Sequence, residues 1–84
     1  MNTITVRYFA SIREVMDTGS ESLQTCADTV GALRVELMAR SDAAAAALAE
    51  GKAVRMALNQ DMCDGAALLK NGDEVAFFPP VTGG

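Results

Sequence analysis

Hydrophobic and polar residues alternate at the start of the chain. Between residues 3 and 10 the pattern has a period of two, which predicts a β-strand. One face of this strand would hold Ile4, Val6 and Tyr8, and the other Thr5, Arg7 and Phe9. Residues 11–16 are mixed in character, and the polar run at residues 17–20 is typical of a turn. We therefore expect residues 21–25 to pair back on the first strand as a hairpin.

The period changes to that of a helix behind Asp28 and Thr29, either of which offers a side-chain oxygen for an N-cap. The apolar residues that recur at helical spacing are Val30, Leu33, Leu37 and Met38. Arg34 lies off this stripe, so we predict an amphipathic helix over residues 30–40.

An alanine-rich piece at residues 43–49 has high helix propensity, and Gly51 would close it at the C′ position. Alternation returns at residues 54–59, which predicts a third strand. Residues 61–69 are irregular and would hold one short strand or a turn of helix. A turn at residues 70–73 then leads into the last strand.

The last strand covers residues 74–78 and ends at Pro79-Pro80, because proline lacks the N–H that a sheet needs. The element order predicts an α+β roll, a mixed sheet of four or five strands with one main helix on one face. Residues 1–78 would form a single domain, and residues 79–84 a flexible, extended C-terminal tail.

The composition excludes several kinds of chemistry. The 84 residues include no histidine, which rules out Ser-His-Asp and Cys-His catalysis. Cys26 and Cys63 lie far apart in sequence and are interpreted as ordinary thiols, with a redox or metal role as the alternative. We expect no metal site and no cofactor bound by the chain.

The charge pattern indicates which classes of binding partner to expect. Net charge is −4, and the seven basic residues are scattered without forming a stripe, so nucleic acid is not an expected partner. The acidic balance favours a basic pocket on another protein. No apolar run approaches the roughly 18 residues of a membrane span, and the N-terminus does not resemble a secretion signal. We expect a cytoplasmic protein that does not enter the membrane.

The tail Pro79-Pro80-Val81-Thr82-Gly83-Gly84 is the segment most suggestive of function. Fully extended, it would reach roughly 20 Å from the domain, far enough to enter a partner's active site. Glycine has no Cβ, so the last two residues could pass through a narrow channel. The reactive group would then be the α-carboxylate of Gly84, activated by a partner.

Two adjacent aromatic pairs suggest a docking surface: Tyr8-Phe9 and Phe77-Phe78. Successive side chains of a strand point to opposite faces, so each pair puts one ring on each face. One helix covers only one face, which would leave an aromatic patch on the other for a partner. The alternative is that loop residues fold over that face.

Four stretches resemble the molybdopterin synthase small-subunit family: residues 6–14 (VRYFASIRE), 29–34 (TVGALR), 56–60 (MALNQ) and 72–84 (GDEVAFFPPVTGG). The resemblance covers nearly the whole chain and is weakest at residues 41–51 and 61–69. It implies the ubiquitin-like β-grasp fold. Tyr8 stands where the family commonly has phenylalanine.

The resemblance also implies a chemistry and a set of partners. An E1-like adenylyltransferase would use ATP to adenylate the Gly84 carboxylate, and a persulfide donor would supply the sulfur of a thiocarboxylate. In the family, two small subunits flank a dimer of large subunits, and the thiocarboxylate attacks cyclic pyranopterin monophosphate to build the molybdopterin dithiolene.

Residue roles follow by position. Gly84 would carry the sulfur, and Gly83 would permit insertion. Val81 and Thr82 would lie at the mouth of the large subunit's tunnel. The partner interface would contain Phe9, Arg13 and Phe78.

Three alternatives share parts of this pattern. A sulfur carrier for thiamine synthesis or tRNA thiolation would have the same glycine pair, although such carriers usually lack the Phe-Phe-Pro-Pro run. A ubiquitin-like modifier would use the same adenylate to form isopeptide bonds with lysines. A plain interaction module would have an inert tail.

Overall fold

The computed structural model describes residues 1–49 and 53–79. The elements, in chain order, are β1 (Asn2–Tyr8), α1 (Ala10–Met16), β2 (Ser20–Thr25), α2 (Val30–Met38), α3 (Asp42–Ala47), β3 (Arg55–Leu58), β4 (Asp61–Cys63) and β5 (Glu74–Phe78). All four of the predicted main strands and the main helix are present. Gly51, which we expected to close the alanine-rich helix, lies outside the described residues.

The five strands form one mixed sheet in the order β2-β1-β5-β3-β4. The central strands β1 and β5 run parallel, and every other neighbouring pair is antiparallel. Helix α2 forms the crossover between the β1–β2 hairpin and the rest of the sheet. This is the β-grasp arrangement, so the predicted α+β, ubiquitin-like roll is confirmed.

The core lies between the helices and one face of the sheet. Thr29, one of the two capping residues that the sequence offers, caps α2 by accepting a hydrogen bond from the Ala32 amide at 3.1 Å. The large, fully buried apolar side chains come from both layers: Ile4, Val6, Tyr8, Ile12, Val30, Leu33, Leu37, Leu48, Val75 and Phe77. The alternation in β1 and the helical stripe in α2 therefore mark the buried faces correctly.

The prediction of one main helix and a short alanine-rich helical piece was incomplete, because α1 forms where we expected the end of a strand and a mixed segment. Ala10 has a φ of 50°, a left-handed conformation that breaks the extended course of β1 abruptly. Of the seven residues of α1 only Ile12 is buried, and Phe9 provides no side-chain cap. So short a helix has no periodic pattern to reveal it.

Arg34 is a second departure, since the sequence placed it off the buried stripe of α2. It is only 8% exposed. Its Nε donates a hydrogen bond to the Leu48 carbonyl at 2.6 Å, and its Nη2 donates to the Ala49 carbonyl at 2.8 Å. The guanidinium thus satisfies carbonyls at the C-terminal end of α3, where an α-helix leaves acceptors unpaired.

The irregular segment after β3 contains the short strand that was one of its two predicted forms. Asn59 and Gln60 both have positive φ, 51° and 73°, as a tight two-residue hairpin turn requires. Beyond β4 the chain packs against the start of α2, where the Gly31 amide donates to the Gly65 carbonyl at 2.9 Å. Among the described residues, no helix is long and apolar enough to cross a membrane.

Candidate functional site

The two aromatic pairs divide between the two faces of the sheet, as predicted. In the parallel register of β1 and β5, Tyr8 is paired with Phe77. Both side chains are buried in the core, with ring centroids 6.4 Å apart. Phe9 and Phe78 follow directly and stack on the opposite side, with centroids 4.6 Å apart and planes 11° apart. Each of these two rings is half-buried, and we call the surface around them the aromatic face.

A shallow groove of about 170 Å³ extends from this stack across the sheet. Its apolar residues are Phe9, Ala57, Met62, Ala76 and Phe78, and its polar residues are Arg7, Gln60 and Glu74. Met62 is 60% exposed. Ala57 and Ala76 are cross-strand partners on this face. Their side chains are small, so they form the bottom of the groove between larger neighbours. Phe9 and Phe78 both keep part of their surface exposed, so the described residues do not cover this face completely.

An ion pair borders the groove. Arg7 Nη1 lies 3.4 Å from Glu74 Oε1, and both side chains are partly exposed. The Arg7 guanidinium also lies 5.8 Å from the centroid of the Phe9 ring, within the range of a cation–π contact. The groove therefore combines an apolar centre with a polar border, which is the usual composition of a protein interface.

Arg13 lies beside the same face, one turn of α1 after Phe9. Its side chain is exposed and lines a second depression together with Arg7, Phe9 and Gly19. A Cβ on Gly19 would lie 3.1 Å from Arg13 Nε, so the absence of a side chain there makes room for the guanidinium. The sequence predicts Gly19 only as part of the turn at residues 17–20. Its role depends on a contact between separate elements, which no local pattern shows.

The tail begins at the aromatic face, where β5 ends. Strand β5 ends at Phe78, and the Phe9 amide donates to the Phe77 carbonyl at 3.3 Å, which ties the two chain segments together at this point. The predicted tail residues Val81, Thr82, Gly83 and Gly84 lie outside the described residues. The predicted interface residues Phe9, Arg13 and Phe78 are thus brought together at the place where the tail begins. Their roles in binding remain predictions.

A polar network on the helix side of the sheet fixes the hairpin behind this face. Tyr8 Oη donates to Glu21 Oε2 at 2.7 Å, and Arg40 Nη1 donates to the same oxygen at 2.8 Å. The bond from Arg40, helped by the bond from Tyr8, lowers the pKa of the Glu21 carboxyl. Burial, followed by the bond to Glu21, raises the pKa of the Tyr8 hydroxyl. These bonds join β1, β2 and the end of α2.

The two cysteines lie away from the aromatic face. Cys26 is exposed, whereas Cys63 is half-buried and packs against the core. Burial, and secondarily the charge of Asp64, raises the pKa of the Cys63 thiol, which makes it a weaker nucleophile. Within residues 1–49 and 53–79, no three Cys, Asp or Glu residues are grouped as metal ligands would be.

Sequence comparison relates the chain to known proteins. The chain matches the ThiS family over residues 6–84. It is 46% identical to the molybdopterin synthase sulfur carrier subunit of Escherichia coli strain K12, and 41% identical to the protein of that name from Haemophilus influenzae. Each alignment covers 96% of this chain and 99% of the relative. The resemblance noted in the sequence is confirmed.

Solved structures show the same fold. SAMP1 from Haloferax volcanii superposes with a TM-score of 0.81 at 24% identity, covering 99% of this chain and 100% of that one. The complex of subunits 1 and 2 of the molybdopterin-converting factor from Helicobacter pylori contains a chain that superposes with a TM-score of 0.68 at 26% identity. That match covers 98% of this chain and 99% of the other.

Proposed function

Because the chain belongs to the ThiS family, we propose that it is the sulfur carrier subunit of a molybdopterin synthase. The observation that carries the proposal is its identity of 41–46% to two molybdopterin synthase sulfur carrier subunits along nearly their whole length. The alignment leaves almost no part of either relative unmatched, so it applies to the domain and the tail together. The ThiS match likewise runs through Gly84.

The arrangement of the chain supports separate roles for this protein and its partners. The aromatic face docks on the large subunit, with Phe9, Arg13 and Phe78 as contacts. The tail starts at this face and enters the partner's active site, with Val81 and Thr82 at the mouth and Gly83 in the narrow part. The protein contributes a carboxyl group, and its partners contribute the catalytic side chains and the ATP.

The proposed chemistry starts at the Gly84 carboxylate. An E1-like adenylyltransferase transfers AMP from ATP to this carboxylate and releases diphosphate. The terminal sulfur of a persulfide donor attacks the acyl carbon, AMP leaves, and an acyl disulfide forms. A thiol then attacks the donor's sulfur, which forms a new disulfide and releases the thiocarboxylate.

The thiocarboxylate sulfur is a much stronger nucleophile than the carboxylate oxygen that it replaces. In the proposed synthase it attacks a carbon of cyclic pyranopterin monophosphate that bears oxygen, so a carbon–sulfur bond forms and the carbon–oxygen bond breaks, with the oxygen taking the electron pair. Water then cleaves the resulting thioester and regenerates the Gly84 carboxylate. Two such transfers provide both sulfurs of the molybdopterin dithiolene. The proposed assembly is a cytoplasmic heterotetramer, in which two small subunits flank a dimer of large subunits.

The test is intact-mass measurement of the protein isolated from its native cell. A sulfur carrier will show the mass increase of one sulfur replacing one oxygen, located by fragmentation at Gly84. Adducts that link Gly84 to lysines of other proteins would mean a modifier. A tail that carries neither would mean an inert interaction module, and both of these outcomes contradict the proposal.

A thiocarboxylate alone would also suit a carrier for thiamine or tRNA thiolation. The purified thiocarboxylated protein is therefore mixed with the large subunit and cyclic pyranopterin monophosphate. Formation of molybdopterin supports the proposal, whereas a thiocarboxylate that stays intact in this mixture assigns the carrier to another pathway.

A further inference from the structure

Three of the five arginines border the aromatic face of a protein whose net charge is −4. Arg34 is buried against backbone carbonyls, and Arg40 is paired with Glu21. The three other arginines of the chain all border the aromatic face: Arg7, Arg13 and Arg55. Arginines that are scattered along the sequence are thus grouped on one face of the fold.

Arg55 is the residue of this group for which the sequence predicts no role. The antiparallel register of β3 and β5 pairs it directly with Phe78, so both side chains project from the same face. Directly paired residues have Cβ atoms about 4.5–5.5 Å apart. Arg55 is exposed, whereas the Phe78 ring beside it is half-buried. A partner that covers Phe78 therefore meets the Arg55 side chain as well.

The three arginines of the face are not equally compensated by carboxylates. Glu74 is paired with Arg7 and offsets it. Glu14 and Asp17 line a depression with Arg13 on the α1 side and reduce its field there. Among residues 1–49 and 53–79, Arg55 makes no ion pair, and the strand positions around it on this face hold Ala57, Ala76 and Phe78. Arg55 is thus the least compensated charge beside the stacked rings.

We propose that Arg55 is a docking residue of the aromatic face, and that the partner surface facing it is acidic. This inference rests on the function proposed above, because it concerns the protein surface that the large subunit presents to Phe78. The partner would have an apolar centre that covers Phe9, Phe78 and Met62, bordered by carboxylates that face Arg55. The net charge of the chain favoured a basic partner surface, but the local charge of this face favours the opposite sign.

A second copy of this chain does not fit the face as well. Among the described residues of the face, the only carboxylate that a second copy could offer to Arg55 is Glu74, which Arg7 already holds. Desolvating an arginine without an opposite charge is costly, and apposed like charges oppose association. A heterologous acidic surface satisfies both requirements.

The experiment compares two charge reversals of equal size. Arg55→Glu changes the charge beside Phe78. Lys70→Glu is the control, because Lys70 is exposed in the turn that precedes β5, at the far end of that strand from Phe78. Association rates with the purified large subunit are measured at several salt concentrations, and the melting temperature of each variant is recorded.

We expect Arg55→Glu to slow association roughly tenfold or more at low salt, with the loss shrinking as salt screens the charges. Lys70→Glu should change the rate by less than about twofold, because it lies away from the interface. Arg55→Gln, which removes the charge without adding its opposite, should give an intermediate rate. This neutral variant keeps the test valid if the reversal lowers stability.

Equal rates for Arg55→Glu and Lys70→Glu would overturn the proposal, because net charge alone would then control docking. Faster association of Arg55→Glu would also overturn it and would assign a basic surface to the partner. The proposed function is judged separately. A wild-type protein that binds the large subunit but transfers no sulfur contradicts the function, while the rates still decide the sign of the partner's charge.

Discussion

Phe9 and Phe78 stack face to face with their centroids 4.6 Å apart, although they come from opposite ends of the domain. The contact follows from the parallel pairing of β1 and β5, which places Tyr8 beside Phe77 and therefore the next two residues beside each other. One pair of rings fills the core, and the other lies on the surface. The pairing of the central strands thus contributes to the core and also forms the candidate docking face.

Replacing Phe78 with alanine should weaken binding to the large subunit by about 2 kcal/mol or more, as expected for an aromatic residue at the centre of an interface. The free energy of unfolding should fall much less, because the ring is only half-buried. Calorimetric titration and denaturant unfolding measure the two quantities. Phe77→Ala is the contrasting variant, since burial of Phe77 predicts a loss of about 3–5 kcal/mol of stability.

Phe78→Ala would contradict the assignment if it unfolded the domain as Phe77→Ala does while the folded fraction still bound normally. Leu68→Ala controls for the loss of an exposed apolar side chain elsewhere. Leu68 is 69% exposed, in the loop that pairs with Thr29. We expect Leu68→Ala to leave the affinity unchanged.

Arg13→Ala should weaken association by at least about 1 kcal/mol, because the guanidinium stands beside Phe9 where a partner would cover it. The melting temperature should stay nearly unchanged, because the side chain is exposed. Arg13→Lys should recover only part of the loss, since an ammonium cannot reproduce the planar fork of donors. Equal affinities of wild type and Arg13→Ala would return this residue to the solvated surface.

Gly19→Ala tests whether the position of Arg13 matters as well as its presence. The added Cβ would lie 3.1 Å from Arg13 Nε and would push the flexible side chain aside at little cost to the fold. We expect an affinity between those of wild type and Arg13→Ala. In the background of Arg13→Ala the substitution should have no further effect, and a double-mutant cycle measures this coupling. Additive losses would show that Gly19 acts independently of Arg13.

The elements that bury a continuous face were predictable from the sequence, because burial imposes a period. The alternation of β1 and the stripe of α2 correspond to side chains such as Val6 and Leu33, which have no exposed surface. Helix α1 was missed for the same reason. It buries only Ile12, and Phe9 provides no side-chain N-cap, so α1 has neither a hydrophobic period nor an N-cap signal.

Residues of the candidate site were predictable where the residue type or a local motif indicates them. They were not predictable where their place depends on how strands and helices pair. Phe9, Arg13 and Phe78 were identified through adjacent aromatic residues and the family resemblance. Arg55 and Gly19 owe their positions to a strand pairing and to a helix–turn contact. Such pairings join distant parts of the chain, and no local pattern specifies them.

We expect the free energy of unfolding to fall in acid, because Glu21 stabilises the fold only when its carboxyl group is ionised. The pKa of its carboxyl is lower in the folded protein than its ordinary value of 4.5, mainly because of the bond from Arg40. The ionised form therefore stabilises the fold above pH 4.5, and this contribution is lost as the pH falls below that value towards the folded pKa. Glu21→Gln should be less stable by about 1 kcal/mol at neutral pH, because solvent screens this partly exposed pair.

The difference in unfolding free energy between wild type and Glu21→Gln should narrow as the pH falls below about 4.5. Denaturant unfolding at a series of pH values measures it. Glu14→Gln, at an exposed carboxylate of α1, is the control and should change stability by less than about 0.5 kcal/mol. A difference for Glu21→Gln that did not vary with pH would contradict the role of this carboxylate.

The most direct test of the proposed function is a chain extended by one residue beyond Gly84. Its C-terminal carboxylate would be displaced from the position that the activating enzyme and the large subunit require, while the domain stays unchanged. The extended protein, shown by intact mass to remain unprocessed, is supplied with all partners, and molybdopterin is measured. We predict a normal melting temperature, no thiocarboxylate and no molybdopterin. Full synthesis of molybdopterin by the unprocessed protein would contradict the account.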